Sequence, residues 1–117
     1  MIQEIKCYEI WSVKCDPSVG HEYQKIRPSL VVQSDRFNKN SELFTLIVIT
    51  TNLSNKIPDD IFLKKDLMNN LYEDSLLKVR HIYTYDKSRF VSKMGTIDNG
   101  TQLKIKQYLL KHFGLNE

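Results

Sequence analysis

The sequence of 117 residues has no long apolar run. A membrane-spanning helix needs about 20 apolar residues, and a secretory leader needs an apolar core of roughly 7–15 residues. The first ten residues, MIQEIKCYEI, instead carry charges at Glu4 and Lys6. We therefore expect no signal peptide, no transmembrane segment and no membrane partner. The expected location of this soluble protein is the cytoplasm.

Cysteine is also scarce. The chain has two cysteines, Cys7 and Cys15, which are separated by more than the spacing of about two to four residues typical of zinc-binding thiolates. Disulfides are rare in a reducing cytosol. We therefore expect the two thiols to be unpaired, and we expect no metal site and no cofactor.

Repeats, low-complexity segments and linkers are absent as well. The composition, with 41% hydrophobic and 26% charged residues, is that of an ordinary globular protein. This length favours a single domain covering residues 1–117. The formal net charge of +3 permits an anionic partner without requiring one.

Several short segments favour β-structure. The strongest is Thr45–Thr50, which is apolar and β-branched on both faces and should therefore be buried on both sides. The weaker strand candidates are Ile10–Cys15, Leu30–Gln33, Asp60–Lys64, Ser75–Arg80 and Ile82–Tyr85.

One helix is predicted near the C-terminus, at Gln102–Phe113. Asp98 is a suitable N-cap, and Gly114 can end the helix. Its predicted apolar face consists of Ile105, Tyr108, Leu109 and Phe113. Short strands followed by one helix predict a mainly β fold with α, a small antiparallel barrel with a C-terminal helix.

The connection between the first two predicted strands is polar and unusually long. It contains His21, which can titrate near neutral pH, and Glu22, which can act as a base if partly desolvated. Arg27 stands at its exit, where a guanidinium could hold a phosphate through two hydrogen bonds. These residues are also consistent with an ordinary solvated loop.

Hydroxyl and amide side chains end the central strand. Thr50, Thr51 and Asn52 would project at the rim of the sheet. From the residues alone, they could form part of a site or simply cap the strand.

Five segments, in order, form a pattern over roughly residues 8 to 115. They read EIWSVKCDPSVGHE, RPSLVVQSDRFN, TLIVITTN, EDSLLKVRHIYTYDKSR, and MGTI before a helix ending in HFGL. The first resembles an opening strand and Asp-Pro-Thr-x-Gly-Ser/His-Glu loop, the second an arginine–proline strand and the third a central strand ending in threonine. Together they resemble the MazF/PemK family of toxin endoribonucleases.

The resemblance implies a fold, an activity and partners. The implied fold is a compact SH3-like antiparallel barrel, usually a homodimer. The implied activity is metal-independent cleavage of single-stranded RNA at short sequence motifs. The implied regulator is an antitoxin whose disordered C-terminal segment folds over the RNA groove.

The resemblance also implies roles for individual residues. Arg27 matches the family's catalytic arginine and would stabilise charge on the phosphate. Thr50 matches its catalytic threonine, although Thr51 is only one residue away. Glu22 matches a loop glutamate that could orient Arg27 or accept a proton, and His21 matches a histidine found in one branch of the family.

The chain departs from that branch in the fourth segment. The branch has an Arg-x-Asp pair before a glutamine, and the aspartate acts as the base. Here these positions hold Lys78 and Arg80, followed by His81 in place of the glutamine. Arginine, with a pKa above about 12, cannot serve as the base. We interpret the change as an altered RNA-contacting face with a new base specificity.

The proton acceptor must then be another residue. The candidates are His21, Glu22 and His81, and we predict His21, because its reference pKa of roughly 6.5 suits catalysis at neutral pH.

Aromatic and basic side chains suggest RNA contacts. Tyr23, Tyr83 and Tyr85 could stack on unpaired bases or belong to the edge of the core. The other predicted RNA-binding residues are Thr51, Asn52, Lys78, Arg80, His81, Lys87 and Arg89. The alternative function is a non-catalytic binder of RNA or of a protein such as gyrase, because toxins of that class resemble this fold.

Overall fold

The structure is a computed structural model that describes residues 4–15 and 25–115. The six strands are β1 (Glu9–Cys15), β2 (Lys25–Val31), β3 (Leu43–Thr50), β4 (Ile61–Leu63), β5 (Ser75–Asp86) and β6 (Phe90–Thr96). The helices are α1 (Asp35–Asn38) and α2 (Asn99–His112), and short 3-10 turns cover Leu53–Asn55 and Lys87–Arg89.

The strands form one antiparallel sheet in the order β4-β5-β3-β2-β1-β6. The sheet curls into a half-barrel, and the predicted barrel with a C-terminal helix is thereby confirmed. Thr45–Thr50, the strongest predicted strand, lies in β3 between β2 and β5. This central position explains why both of its faces are apolar.

The alternation of side chains along the strands divides the core into two clusters. One contains Ile10, Leu30 and Ile47 and extends to Ile105 of α2. The other, on the opposite side of these strands, includes Trp11 and Phe44. The helix therefore covers one face, while the curl of the sheet closes around the other.

The predicted N-cap, Asp98, is confirmed, but the helix begins directly after it at Asn99, three residues before the predicted start at Gln102. The Asp98 carboxylate accepts a hydrogen bond from the backbone N–H of Thr101 at 2.7 Å. The C-terminal end of the prediction is wrong by one residue, because α2 ends at His112. Phe113 lies past the last helical residue and is 58% exposed, so it leaves the predicted apolar face. Gly114 follows with φ of 68°, a left-handed conformation that suits glycine.

Two strand predictions need correction. The segments predicted as separate strands at 75–80 and 82–85 form one strand, β5. An irregularity accounts for the difference, since Ile47 pairs with Ile82 whereas Ile49 pairs with Leu77. β5 accommodates the extra residues as a bulge and continues across it.

The second predicted strand also starts earlier than expected, because β2 begins at Lys25. Pro28 lies inside it, opposite Ser12 of β1, and the pairing of β2 with β3 begins only at Ser29. The missing N–H of the proline is therefore tolerated where the ladder to β3 has stopped. β6, which sequence patterning did not identify, forms by pairing with β1.

The two cysteines are not joined by a disulfide, as expected. Cys7 is half-buried, and burial together with the nearby Asp35 carboxylate raises the pKa of its thiol to about 11. Among the described residues, no helix is long and apolar enough to cross a membrane.

Candidate functional site

Arg27 and Thr50 lie on two neighbouring strands of the sheet, β2 and β3. Ser29 of β2 pairs with Val48 of β3. The observed pairing ends there, and extending the same register by two residues would align Arg27 with Thr50 on the face that Ser29 and Val48 share. Both residues are half-buried. The two residues, far apart in the chain, thus lie towards the same end of neighbouring antiparallel strands.

The hydroxyl of Thr50 is held by the turn that follows it. The backbone N–H of Asn52 donates to Thr50 Oγ1 at 3.2 Å. Because the oxygen is used as an acceptor, its own hydrogen remains available to donate to a bound anion. Asn52 in turn accepts hydrogen bonds from the backbone N–H and the hydroxyl of Ser54 at 3.1 and 2.6 Å. Thr51 lies beyond the strand and is exposed.

Three of the predicted site residues, His21, Glu22 and Tyr23, lie outside the described residues. Their predicted roles remain predictions. The described part of the chain does place Cys15, at the end of β1, and Lys25, at the start of β2, opposite each other. The described residues on either side of this segment therefore lie beside each other, with Lys25 two positions from Arg27 in β2.

Lys78 has a buried partner that the sequence does not reveal. Its ammonium group contacts Asp60 Oδ2 at 2.6 Å and donates to the backbone carbonyl of Asn55 at 3.0 Å. The Asp60 side chain has no exposed area, and that of Lys78 is 12% exposed. The predicted RNA contact of Lys78 remains a prediction. In the structure, this side chain forms a buried ion pair with Asp60.

Asp60 stays ionised despite its burial. Burial alone would raise its pKa, but hydrogen bonds from Lys78 and from the backbone N–H of Ile57, with the charges of Lys78 and His81, lower it below the usual value. The N–H of Ile57 donates to the same oxygen, Oδ2, at 3.0 Å. The ion pair therefore attaches the turn that follows β3 to the middle of β5.

An open pocket of about 470 Å³ lies beside this ion pair. Its lining residues are Ile57, Arg80, His81, Ile82 and Tyr83. Arg80 and His81 are exposed, so the pocket offers basic side chains to solvent. Ile57 forms the wall of the pocket opposite β5. This residue was not identified from the sequence, because it belongs to no periodic pattern.

Aromatic and cationic groups continue along β5 from this pocket. The rings of Tyr83 and Tyr85 are stacked, with centroids 5.9 Å apart and planes within 2°. The Arg89 guanidinium lies 5.3 Å from the centre of the Tyr85 ring, a cation–π distance. Arg89 also donates to the backbone carbonyl of Lys14 at 3.3 Å, near the end of β1.

The row formed by Tyr83, Tyr85 and Arg89 therefore extends from the pocket to β1, the strand that precedes His21 in the chain. Lys87 is half-buried in the 3-10 turn after β5. That turn is capped by Asp86, which accepts a hydrogen bond from the N–H of Ser88 at 2.9 Å. The described residues contain no group of three or more His, Cys, Asp or Glu side chains that could hold a metal ion.

Glu9 is a second buried carboxylate that sequence reasoning did not assign. It accepts hydrogen bonds from Trp11 Nε1 and from the backbone N–H of Lys6, both at 2.9 Å, and pairs with Lys93 at 3.0 Å. These contacts join the start of β1 to β6, far along the sheet from the pocket. Its role is structural.

Known proteins share both the sequence pattern and the fold. A curated relative, "Endoribonuclease MazF" of Staphylococcus epidermidis, is 27% identical over 109 residues, covering 92% of this chain and 90% of the relative.

Solved structures agree at the level of the fold. The MazE–MazF complex (Form-II) from Deinococcus radiodurans matches with a TM-score of 0.81 and 18% identity, covering 98% and 100% of the two chains. An endoribonuclease in complex with its cognate antitoxin, from mycobacterial species, matches with a TM-score of 0.74 and 19% identity, covering 97% and 98%. The family model described as "PemK-like, MazF-like toxin of type II toxin-antitoxin system" matches residues 6–113. The chain therefore belongs to the PemK-like, MazF-like toxin family of type II toxin–antitoxin systems, as the ordered motifs predicted.

Proposed function

We propose that this endoribonuclease toxin cleaves single-stranded RNA without a metal, and that Arg27 and Thr50 bind the phosphate that is cut. The observation that carries the proposal is the antiparallel pairing of β2 with β3, which puts the start of β2, with Arg27, beside the end of β3, with Thr50. Both groups donate hydrogen bonds, and two donors aimed at one phosphate stabilise the charge that develops in the transition state.

The reaction uses the substrate's own nucleophile. The ribose 2′-oxygen attacks phosphorus as a base removes its proton, and the bond from phosphorus to the 5′-oxygen breaks as that oxygen receives a proton. The products are a 2′,3′-cyclic phosphate and a 5′-hydroxyl. DNA lacks the 2′-hydroxyl and should not be cut. Arg27 would stabilise the pentacoordinate phosphate, and the free hydrogen of Thr50 would donate to a phosphate oxygen.

His21 is our proposed base, with Glu22 and His81 as the alternatives. The loop that carries His21 and Glu22 joins β1 to β2 next to Arg27, which supports access to the same phosphate. Glu22 beside an arginine would remain ionised and weakly basic. His81 borders the pocket on β5, and its place there favours contact with a base of the RNA.

Partners follow from the family and the charge. We infer a homodimer that acts in the cytoplasm, where its RNA substrate is found. We also infer a cognate antitoxin with a disordered C-terminal segment that folds over the RNA groove. The net charge of +3 favours both the RNA and an acidic antitoxin segment. Two of the similar solved structures are complexes of this kind by their names.

The decisive experiment compares Arg27→Ala with Arg36→Ala on single-stranded RNA in excess EDTA. Arg36 is a matched control because it is an exposed arginine on α1, outside the proposed site. Loss of one charge-stabilising donor should lower the rate by roughly 10²–10³-fold in Arg27→Ala and leave Arg36→Ala unchanged.

Wild-type protein should leave 2′,3′-cyclic phosphate ends and should not cut the matching DNA. A requirement for magnesium, or full activity in Arg27→Ala, would show that the mechanism or the site is wrong. RNA binding without any cleavage would support the non-catalytic alternative.

A further inference from the structure

We propose that the pocket between the Ile57 turn and β5 binds one guanine base of the RNA, with Tyr83 as the stacking platform and Arg80 as the residue that reads the base. This inference rests on the proposed RNA-cleaving function and goes beyond it by naming the base. Neither Arg27 nor Thr50 lines the pocket. We assign the pocket to a base next to the scissile bond.

Tyr83 provides the platform. The ring of Tyr83 is stacked with that of Tyr85, and Tyr83 is still 45% exposed to solvent. An aromatic ring fixed in this way can receive an unpaired base by stacking, with little loss of side-chain entropy. The platform and the pocket are adjacent because Tyr83 itself lines the pocket.

Arg80 provides the specific contact. It is exposed, and in the part of the chain that the structure describes no carboxylate pairs with its guanidinium. Its parallel N–H donors are therefore open to a ligand.

The chemistry of the lining selects among the four bases. Guanine presents two adjacent acceptors, O6 and N7, which match the parallel donors of an arginine. Adenine has an amino group in place of O6 and would face Arg80 with an unmatched donor. Cytosine has the adjacent acceptors O2 and N3, but its single ring stacks on Tyr83 over a smaller area than the double ring of guanine. Uracil has two carbonyl acceptors, O2 and O4, but its N3–H lies between them, so they do not form an adjacent pair. Among the described residues, the lining contains no carboxylate that would accept from an amino group.

The wall of the pocket is held in place before RNA arrives. Asp60 accepts from the backbone of Ile57 and from Lys78, so one buried ion pair connects the wall to the strand that carries Arg80. The volume of about 470 Å³ is within the range of roughly 300–1,000 Å³ seen for small-ligand pockets. Because a preformed pocket does not have to become ordered when the base binds, binding costs less conformational entropy.

The test first maps cleavage sites in a random RNA library from their new 5′-hydroxyl ends. Wild type should require guanine at one position beside the cut. Arg80→Gln and Tyr83→Leu should relax that position, whereas Tyr83→Phe should retain it because the ring is kept. Lys106→Gln, which removes an exposed charge on α2 outside the pocket, should leave both the motif and the rate unchanged.

Modified substrates then test the contact itself. Replacing that guanine by 7-deazaguanine removes the N7 acceptor and should lower kcat/KM by about 10-fold in wild type, within the roughly 5- to 150-fold value of a bidentate base contact. The same replacement should have little effect in Arg80→Gln. A cleavage motif without guanine, or an equal response to 7-deazaguanine in both proteins, would overturn the proposal.

A binding experiment separates this proposal from the cleavage mechanism. The probe is a short 2′-O-methyl oligouridine, with or without one central guanine, which cannot undergo attack by a 2′-hydroxyl. Wild type should bind the guanine-containing probe more tightly, and Arg80→Gln should lose the preference. If no RNA is cleaved but this preference holds, the mechanism fails while the pocket stands. Equal binding of both probes would refute the pocket even if RNA is cleaved.

Discussion

Replacing Lys78 by methionine should destabilise the protein strongly, because it leaves the Asp60 carboxylate buried without its cation. The perturbation removes the 2.6 Å contact with Asp60 and the 3.0 Å hydrogen bond to the Asn55 carbonyl. Asp60 keeps the hydrogen bond from the N–H of Ile57, and its Oδ1 has no partner even in the wild-type structure.

The magnitude follows from the burial of the pair. Breaking a buried ion pair on one side costs about 3–5 kcal/mol. Asp60 lies just below the surface beside a partly exposed lysine and keeps one donor, so we take the lower end, about 3 kcal/mol. For a domain of this length, this corresponds to a fall in Tm of about 12 °C, at about 4 °C per kcal/mol.

The assay is thermal and urea denaturation of Lys78→Met beside Lys64→Met, which removes an exposed lysine and should change little. The double variant Lys78→Met/Asp60→Asn should recover part of the loss, because the uncompensated charge is then gone. A Tm change of less than about 3 °C in Lys78→Met would refute the reasoning, since an exposed ion pair contributes only about 0–1 kcal/mol.

The pH dependence gives a second check on the same ion pair. The pKa of Asp60 is lowered in the folded state by Lys78 and the Ile57 N–H, which outweigh burial. A carboxyl with a lowered folded pKa stabilises the fold above its unfolded pKa, about 3.9, and this contribution disappears as the pH falls through the folded value. In Lys78→Met, burial without the cation raises the pKa of Asp60, so the stability difference from wild type should be full above that raised pKa and should shrink as the pH falls from it through the lowered pKa of the wild type.

Three further predictions concern packing, catalysis and assembly. Gly95→Ala should lower the free energy of unfolding, measured by denaturation, by about 1–3 kcal/mol. The reason is that a Cβ would lie 2.2 Å from the backbone oxygen of Met68 and 2.8 Å from the carbonyl carbon of Asn69. Unchanged stability would show that the backbone of Met68 and Asn69 can move away at little cost. In single-turnover pH–rate profiles, His21→Gln should lose most of the rate and the acidic limb, while His81→Gln should mainly change which RNA sequences are cut; an unaltered profile in His21→Gln would return the role of base to Glu22 or His81. Sedimentation at micromolar concentration should give a homodimer, and a purely monomeric protein would contradict that inference.

Local chemistry determined much of the fold in advance. The β-branched, apolar run of β3 favours a strand that is suited to burial on both faces, and Asp98 caps α2 through its own side chain, so both features could be recognised from local patterns. Arg27 and Thr50 could also be identified, because each occurs in a short motif with a recognisable order along the chain.

Features that depend on pairing between distant segments could not be predicted in this way. β6 has no strong strand pattern and forms because β1 offers it an edge, and β5 remains one strand because β3 accommodates its bulge. Phe113 has the right helical spacing for the core, yet the helix ends one residue too early for it to reach there.

The same distinction between local and tertiary information applies to the candidate site. The sequence by itself supplied the types of side chain, a cationic and aromatic set on β5 and an arginine–threonine pair at the rim. Only the tertiary structure decided that Lys78 is neutralised by Asp60, and that Ile57 closes a pocket against Arg80 and Tyr83. The physical reason is that burial and charge compensation depend on which segments meet in space, and a local sequence pattern does not contain that information.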